Sequence, residues 1–170
     1  QAMSFYLKTP FSFLTNLWQL ARPHALLGTW FQFFLILCLF DSLAPNTWQL
    51  ALSFVALSLI HLFGMTINQI YDQEGDRINK PHLPLVNQRF SAKRAWTICG
   101  IGLLGSTALG FSLGQPFFLM ILGLGIILSL YSVRPFRLKD HWLSAALCIS
   151  LARSIAVSYT HLRAHETSSN

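Results

Sequence analysis

Charge is scarce in this chain. Asp, Glu, Lys and Arg together make up 11% of 170 residues, and only six are acidic. With 53% hydrophobic and 14% aromatic residues, polar groups are too few to coat a water-facing surface, which excludes an ordinary soluble domain. Cysteine is nearly absent too. Cys38, Cys99 and Cys148 are odd in number, widely separated and each set in an apolar run, which excludes a disulfide framework or a thiolate metal cluster and marks them as packing residues. There is no internal repeat and no low-complexity linker. No secretory signal is evident in these residues, because the first apolar segment is too long and lacks a small-residue cleavage site, and it reads as a true first span.

What the chain has is apolar length. A membrane-spanning helix needs about 20 largely apolar residues, and five segments qualify: roughly 12–40, 48–71, 94–113, 116–133 and 142–157. The expected fold is therefore all-α, a polytopic transmembrane helix bundle. The net charge of +6 bears on partners only through where the cations sit. Arg77, Lys80, Arg89, Lys93 and Arg94 fall between spans two and three, and Arg134, Arg137 and Lys139 between spans four and five. The alternate connections, "DSLAPNT" and "LGQP", carry no Lys or Arg. Both basic loops then lie on one side, and the positive-inside rule makes that side, with the N-terminus, cytoplasmic. The cations are thereby explained as topology, and no nucleic-acid partner is expected.

Residues 1–157 read as one transmembrane domain. In "SYTHLRAHETSSN", residues 158–170, apolar periodicity ends with no cap or turn. The expectation is a polar tail of foreign or read-through sequence behind an N-terminal portion of a larger bundle.

The densest polar chemistry is "NQIYDQEGDRINKPHLPL", Asn68 to Leu85, at the end of the second span. Asn68, Asp72 and Asp76 stand at i, i+4 and i+8, so if the helix continues they share one face, about 6 Å apart. Glu74 is off that ladder. Oxygen ligands of this kind suit Mg2+, which keeps several waters and is commonly held by one or two carboxylates together with substrate phosphates. Arg77 and Lys80 beside them suit the remaining phosphate charge. A bare DxxxD more often marks ordinary interfacial charges at a helix end. The following "NKPHLPL" is expected to stop the helix and leave in an extended, proline-stiffened path. Two more clusters belong to the same side: "ARPHALLGT", with Arg22 and His24, and "YSVRPFRLK", with Tyr131, Arg137 and Lys139. Alone, each reads as an anchor. An ion path through Asp72 and Asp76 is an alternative, but the surrounding cations would repel a permeating cation.

In this order, "RPHALLGT", "NQIYDQEGDRINKPHLPL" and "YSVRPFRLK" resemble the intramembrane aromatic prenyltransferases of the UbiA superfamily, and the second motif is similar to the homogentisate prenyltransferase branch (phytyl or solanesyl transfer) in particular. The resemblance implies a nine-helix bundle, of which about five helices are here. It also implies an integral membrane enzyme of a bacterial inner, thylakoid or plastid membrane, transferring a prenyl group from an isoprenoid diphosphate to an aromatic acceptor such as homogentisate with Mg2+. By matching positions, Asn68, Asp72 and Asp76 would bind metal and diphosphate, with Asp72 and Asp76 catalytic, and Arg22, Arg77, Lys80, Tyr131, Arg137 and Lys139 would serve the substrates. Chlorophyllide, dihydroxynaphthoate and hydroxybenzoate are alternative acceptors. The family's second Asp-rich motif is absent from these residues and "LVNQRF" departs from the branch, so the 170 residues alone are expected to be inactive.

Ionising an allylic diphosphate makes an anion that metal and cations stabilise and a carbocation that water would quench. An aromatic, dry cavity protects that cation, and "WFQFFLILCLF" has rings that could supply it, although a lipid-facing surface accounts for them better. His24 and His61 are candidate polar contacts for the acceptor or hydrogen-bonded packing residues. Arg153, twelve residues past His141, would lie roughly 18 Å into the hydrocarbon core. It should face the interior and pair with a carboxylated ligand or a structural partner.

Overall fold

The computed structural model describes residues 10–39 and 47–152. Their regular structure is helical: α1 (Pro10–Leu20), α2 (Pro23–Leu39), α3 (Thr47–Tyr71), α4 (Gln73–Asn79), α5 (Ala92–Ser112), α6 (Gln115–Ser132), a 3-10 turn (Leu138–Asp140) and α7 (Trp142–Ala152). Among the described residues α3, α5 and α6 are long and apolar enough to cross a membrane.

The expected first span, 12–40, is two helices rather than one. Arg22 adopts φ 50, a left-handed conformation costing a non-glycine residue about 1 to 3 kcal/mol. Pro23 is the cause: it disfavours a helical Arg22 and supplies no N–H, yet it suits the first position of α2. The second expected span, 48–71, is α3 almost to the residue, but the helix does not run on unbroken through Asp76. Asp72 takes φ −100 and ψ 5 between α3 and α4, although Asp72 N–H still donates to Asn68 O (3.0 Å) and Asp76 N–H to Asp72 O (2.8 Å). The helix ends, but its four-residue hydrogen-bond spacing persists. Of the expected fifth span, residues 142–152 are helical; the remainder, with Arg153 and the 158–170 tail, lies outside the described residues.

Helix α3 is the hub, packing against α5, α6 and α2. Small residues make this possible. A Cβ at Gly102 of α5 would lie 2.9 Å from the Leu59 carbonyl oxygen, and one at Gly64 of α3 would lie 2.9 Å from Leu128 Cδ1. The first is a close approach of backbones and the second makes room for a side chain, and such small-residue contacts are how helices associate in lipid, where apolar burial supplies no drive. Ala56, Ile60, Phe63 and Ile67 of α3 join Cys99, Phe117, Ile121 and Leu124 in the buried core. Large apolar side chains such as Phe31, Leu104 and Phe111 instead face outward, as a surface in contact with lipid requires. The packing expectation for cysteine applies to Cys99 and Cys148, which are buried. Cys38 corrects it, being exposed on α2.

The segment after α4 also departs from expectation. The helix stops at Asn79, but residues 81–90 fold back through turns instead of leaving extended, with Phe90 N–H donating to Pro84 O at 3.0 Å. Leu85 and Phe90 are buried with Leu20 and Ala95, so apolar burial draws the loop beneath the end of α1. Ser91 then starts α5 by accepting the Arg94 N–H at 3.3 Å.

Candidate active site

Three elements distant in sequence meet where α3 ends. Lys139 Nζ donates to Asn68 Oδ1 and to Asp72 Oδ1, each at 2.6 Å. Arg137 Nη2 donates to the same Asp72 oxygen at 3.1 Å, and its Nη1 to the Tyr71 carbonyl at 3.4 Å. That guanidinium therefore caps the carboxyl end of α3, where a cation is favoured. Its Nε donates to Asp140 Oδ1 at 2.9 Å. Asp72 stands at the N-cap of α4 but makes no capping bond with its side chain; the carboxylate serves Lys139 and Arg137 instead. Ser132 Oγ reaches Asn68 Oδ1 at 3.4 Å.

Asp76 is buried one turn further on, in different company. Arg22 Nη2 lies 4.0 Å from its Oδ2, and Lys80 Nζ 3.4 Å from its Oδ1. Both Arg22 Nη2 and Asp76 Oδ2 are buried without a hydrogen-bond partner. Buried polar atoms are rarely left so. Of the two, Arg22 also lines the neighbouring cavity.

This corner adjoins a cavity of about 800 Å3, to which it contributes Arg22, Asn68 and Ser132. Arg22, Asn68, Tyr131 and Ser132 line its polar end, and Leu57, Ile60, Leu124 and Leu128 line the apolar remainder. His24 and Phe31 line it as well. Two further rings of the Phe-rich segment pack on α3: Phe33 and Phe34 lie with ring centroids 5.6 and 5.8 Å from Phe54. His61 is engaged on both nitrogens, with Nδ1 3.0 Å from Thr29 Oγ1 and Nε2 3.2 Å from the Ala21 carbonyl, which favours its packing role.

The structure thus brings together Arg22, Asn68, Asp72, Asp76, Lys80, Tyr131, Arg137 and Lys139. Arg77 is exposed and Glu74 points away, also exposed. Among the described residues no three His, Cys, Asp or Glu side chains cluster as a metal site. Asn68 and Asp72 converge on Lys139, while Asp76 is separately paired, so the expected single ladder of ligands is divided. The donor set still fits a hard divalent cation. It is all oxygen, it has two carboxylates, and Asp76 Oδ2 is a buried anionic atom without a partner. Asp140, Ser132 and Gln69 were missed as contributors. The acidic residue three places after Arg137 was the available signal for Asp140.

Over residues 29–161 the chain matches the UbiA prenyltransferase family. It belongs to that family. It is 37% identical over 149 residues to the homogentisate phytyltransferase of Synechocystis sp., covering 83% of this chain and 48% of that protein. It is 30% identical over 151 residues to the chloroplastic homogentisate solanesyltransferase of Arabidopsis thaliana, covering 84% of this chain and 39% of that one. Among solved structures it resembles a UbiA homolog from Archaeoglobus fulgidus bound to DMAPP and Mg2+, with TM-score 0.78 and 26% identity over 85% of this chain and 53% of that chain. The chain spans about half the length, or less, of the curated relatives it matches. The protein is an integral, multi-pass membrane protein of the UbiA prenyltransferase family.

Proposed function

We propose that the protein carrying this chain is an intramembrane prenyltransferase that moves a prenyl group from an isoprenoid diphosphate to homogentisate, with Mg2+. The observation that carries this reading is the polar corner beside the cavity, where Asn68, Asp72 and Asp76 meet Arg22, Lys80, Arg137 and Lys139. A diphosphate there faces cations, and its chain enters the apolar cavity. Mg2+, held by Asn68, Asp72 and Asp76, would neutralise the leaving diphosphate. Arg22 Nη2, buried and without a hydrogen bond, is available to donate to a phosphate oxygen. Lys139 and Arg137 add positive charge on the opposite flank.

The allylic C–O bond breaks with its electron pair leaving on the diphosphate. A ring carbon of the acceptor then forms the new C–C bond and loses its proton. Tyr131 presents an aromatic ring to the same cavity, where a ring face stabilises developing positive charge. The apolar walls exclude water that would otherwise hydrolyse the cation. Homogentisate as acceptor rests on the relatives named above. The basic loops and N-terminus are assigned to the cytoplasmic side on the positive-inside pattern.

The experiment is prenyl transfer by the full-length protein in detergent, with geranylgeranyl or phytyl diphosphate and homogentisate, in Mg2+ or in EDTA. Prenylated homogentisate that disappears in EDTA supports the reading. Product with hydroxybenzoate or dihydroxynaphthoate but none with homogentisate would overturn the acceptor assignment, and metal-independent turnover would overturn the site.

A further inference from the structure

The break between α1 and α2 is an unfavourable stretch of backbone held from outside. Arg22 sits at φ 50, where a Cβ is crowded, and Pro23 offers no N–H. In an uninterrupted helix the carbonyls of Leu20 and Ala21 would accept from His24 and Ala25. Here the Ala25 N–H goes to Arg22 O at 2.8 Å instead. Two carbonyls are orphaned beside an apolar interior, where each needs a donor.

Both donors come from α3. Gln69 Nε2 donates to Leu20 O at 2.7 Å, and His61 Nε2 meets Ala21 O at 3.2 Å. A carbonyl only accepts, so His61 carries its proton on Nε2, and Nδ1 accepts from Thr29 Oγ1 on α2 at 3.0 Å. One helix thereby grips the end of α1 and the first turns of α2, with the strained residue between them. That residue carries the guanidinium 4.0 Å from Asp76 Oδ2.

Gln69 is 1% exposed, and its Oε1 is buried with no hydrogen-bond partner. If packing were its purpose, methionine or leucine would fill the same space without burying an unsatisfied oxygen. The amide N–H is what the site retains. We propose that Gln69, with His61 in support, is a positioning residue for the diphosphate end of the site: it latches the left-handed turn that holds Arg22 opposite Asp76 and does not itself touch substrate. The inference rests on the reading that Arg22 meets an isoprenoid diphosphate.

The test is binding, by tryptophan fluorescence of the full-length protein in detergent with Mg2+, using dimethylallyl diphosphate and inorganic pyrophosphate as probes. Gln69→Met keeps size and loses the donor; it should weaken both probes about tenfold, leaving one buried carbonyl unpaired. KM for the aromatic acceptor should stay within about twofold, since the latch acts only through Arg22. In an Arg22→Ala background the same substitution should add nothing, because its effect runs through Arg22. Gln69→His, which retains an N–H, should recover part of the loss. Should Gln69→Met fail to fold, Gln69→Glu carries the same expectation, with a carboxylate facing a carbonyl.

Unchanged binding in either donor-lacking variant overturns the inference. So does a loss that persists undiminished without Arg22, or one that falls equally on acceptor and diphosphate. Wild-type protein that binds neither probe overturns the functional reading and this inference together. Wild-type binding with indifferent Gln69 variants overturns the inference alone.

Discussion

Asp72 and Asp76, four residues apart, have been given opposite surroundings. Asp72 is held at contact distance by Lys139 at 2.6 Å and Arg137 at 3.1 Å, and Arg137 is itself oriented by Asp140. Asp76 has cations no nearer than 3.4 Å, and an oxygen without a partner. At contact, a charged hydrogen bond contributes about 1.5 to 3 kcal/mol. At 4.0 Å Arg22 forfeits that contribution, and Lys80, 46% exposed, is an ordinary surface pair. The first corner is built mainly by the chain's own charges. The second leaves an anion and a cation just short of hydrogen-bond contact, so its charges are the less satisfied of the two.

The largest effect should come from Asp72→Ala in the full-length protein, because it removes an oxygen proposed to hold the metal and leaves Lys139 and Arg137 without their shared carboxylate. We expect kcat/KM for prenyl transfer to fall about a hundredfold to a thousandfold, and unchanged turnover at saturating Mg2+ would break the site assignment. Asp76→Asn sharpens the contrast through ligand affinity. The Mg2+ concentration for half-maximal pyrophosphate binding should rise about tenfold, since a neutral amide replaces a carboxylate at the less satisfied corner. Titration of binding against Mg2+ would show it.

Without ligands the two carboxylates should differ in stability as well. Asp72→Asn should cost about 2 kcal/mol and Asp76→Asn within about 1 kcal/mol, because only the first breaks bonds already made. Thermal melts in detergent would show this, and equal losses would erase the distinction between the corners. The smallest effect is reserved for Arg77→Ala. Arg77 is exposed and screened by water, so pyrophosphate affinity should change by about twofold or less, against about tenfold for Arg22→Ala.

Much of the fold was legible because apolar length and the placement of cations are local properties. The spans that became α3, α5 and α6 were within a few residues of their bounds. The Arg22–Pro23 dipeptide was a visible break signal, yet the continuous apolar run concealed it. Likewise the four-residue spacing of Asn68, Asp72 and Asp76 said that they follow one another along the backbone, but not that the helix ends between them.

By itself, then, the sequence determined an all-helical membrane protein whose polar groups gather on one side, since hydropathy and charge act within about one helix length. It also determined the family, through three motifs in order. Only the tertiary structure decided which cation meets which carboxylate. Lys139 is 71 residues from Asn68 and 67 from Asp72, and Gln69 is 49 from the Leu20 carbonyl it holds. Those partners are chosen by how α3 packs against its neighbours, where glycines permit close approach and each buried polar atom must find whichever complementary group the packing brings within about 3 Å.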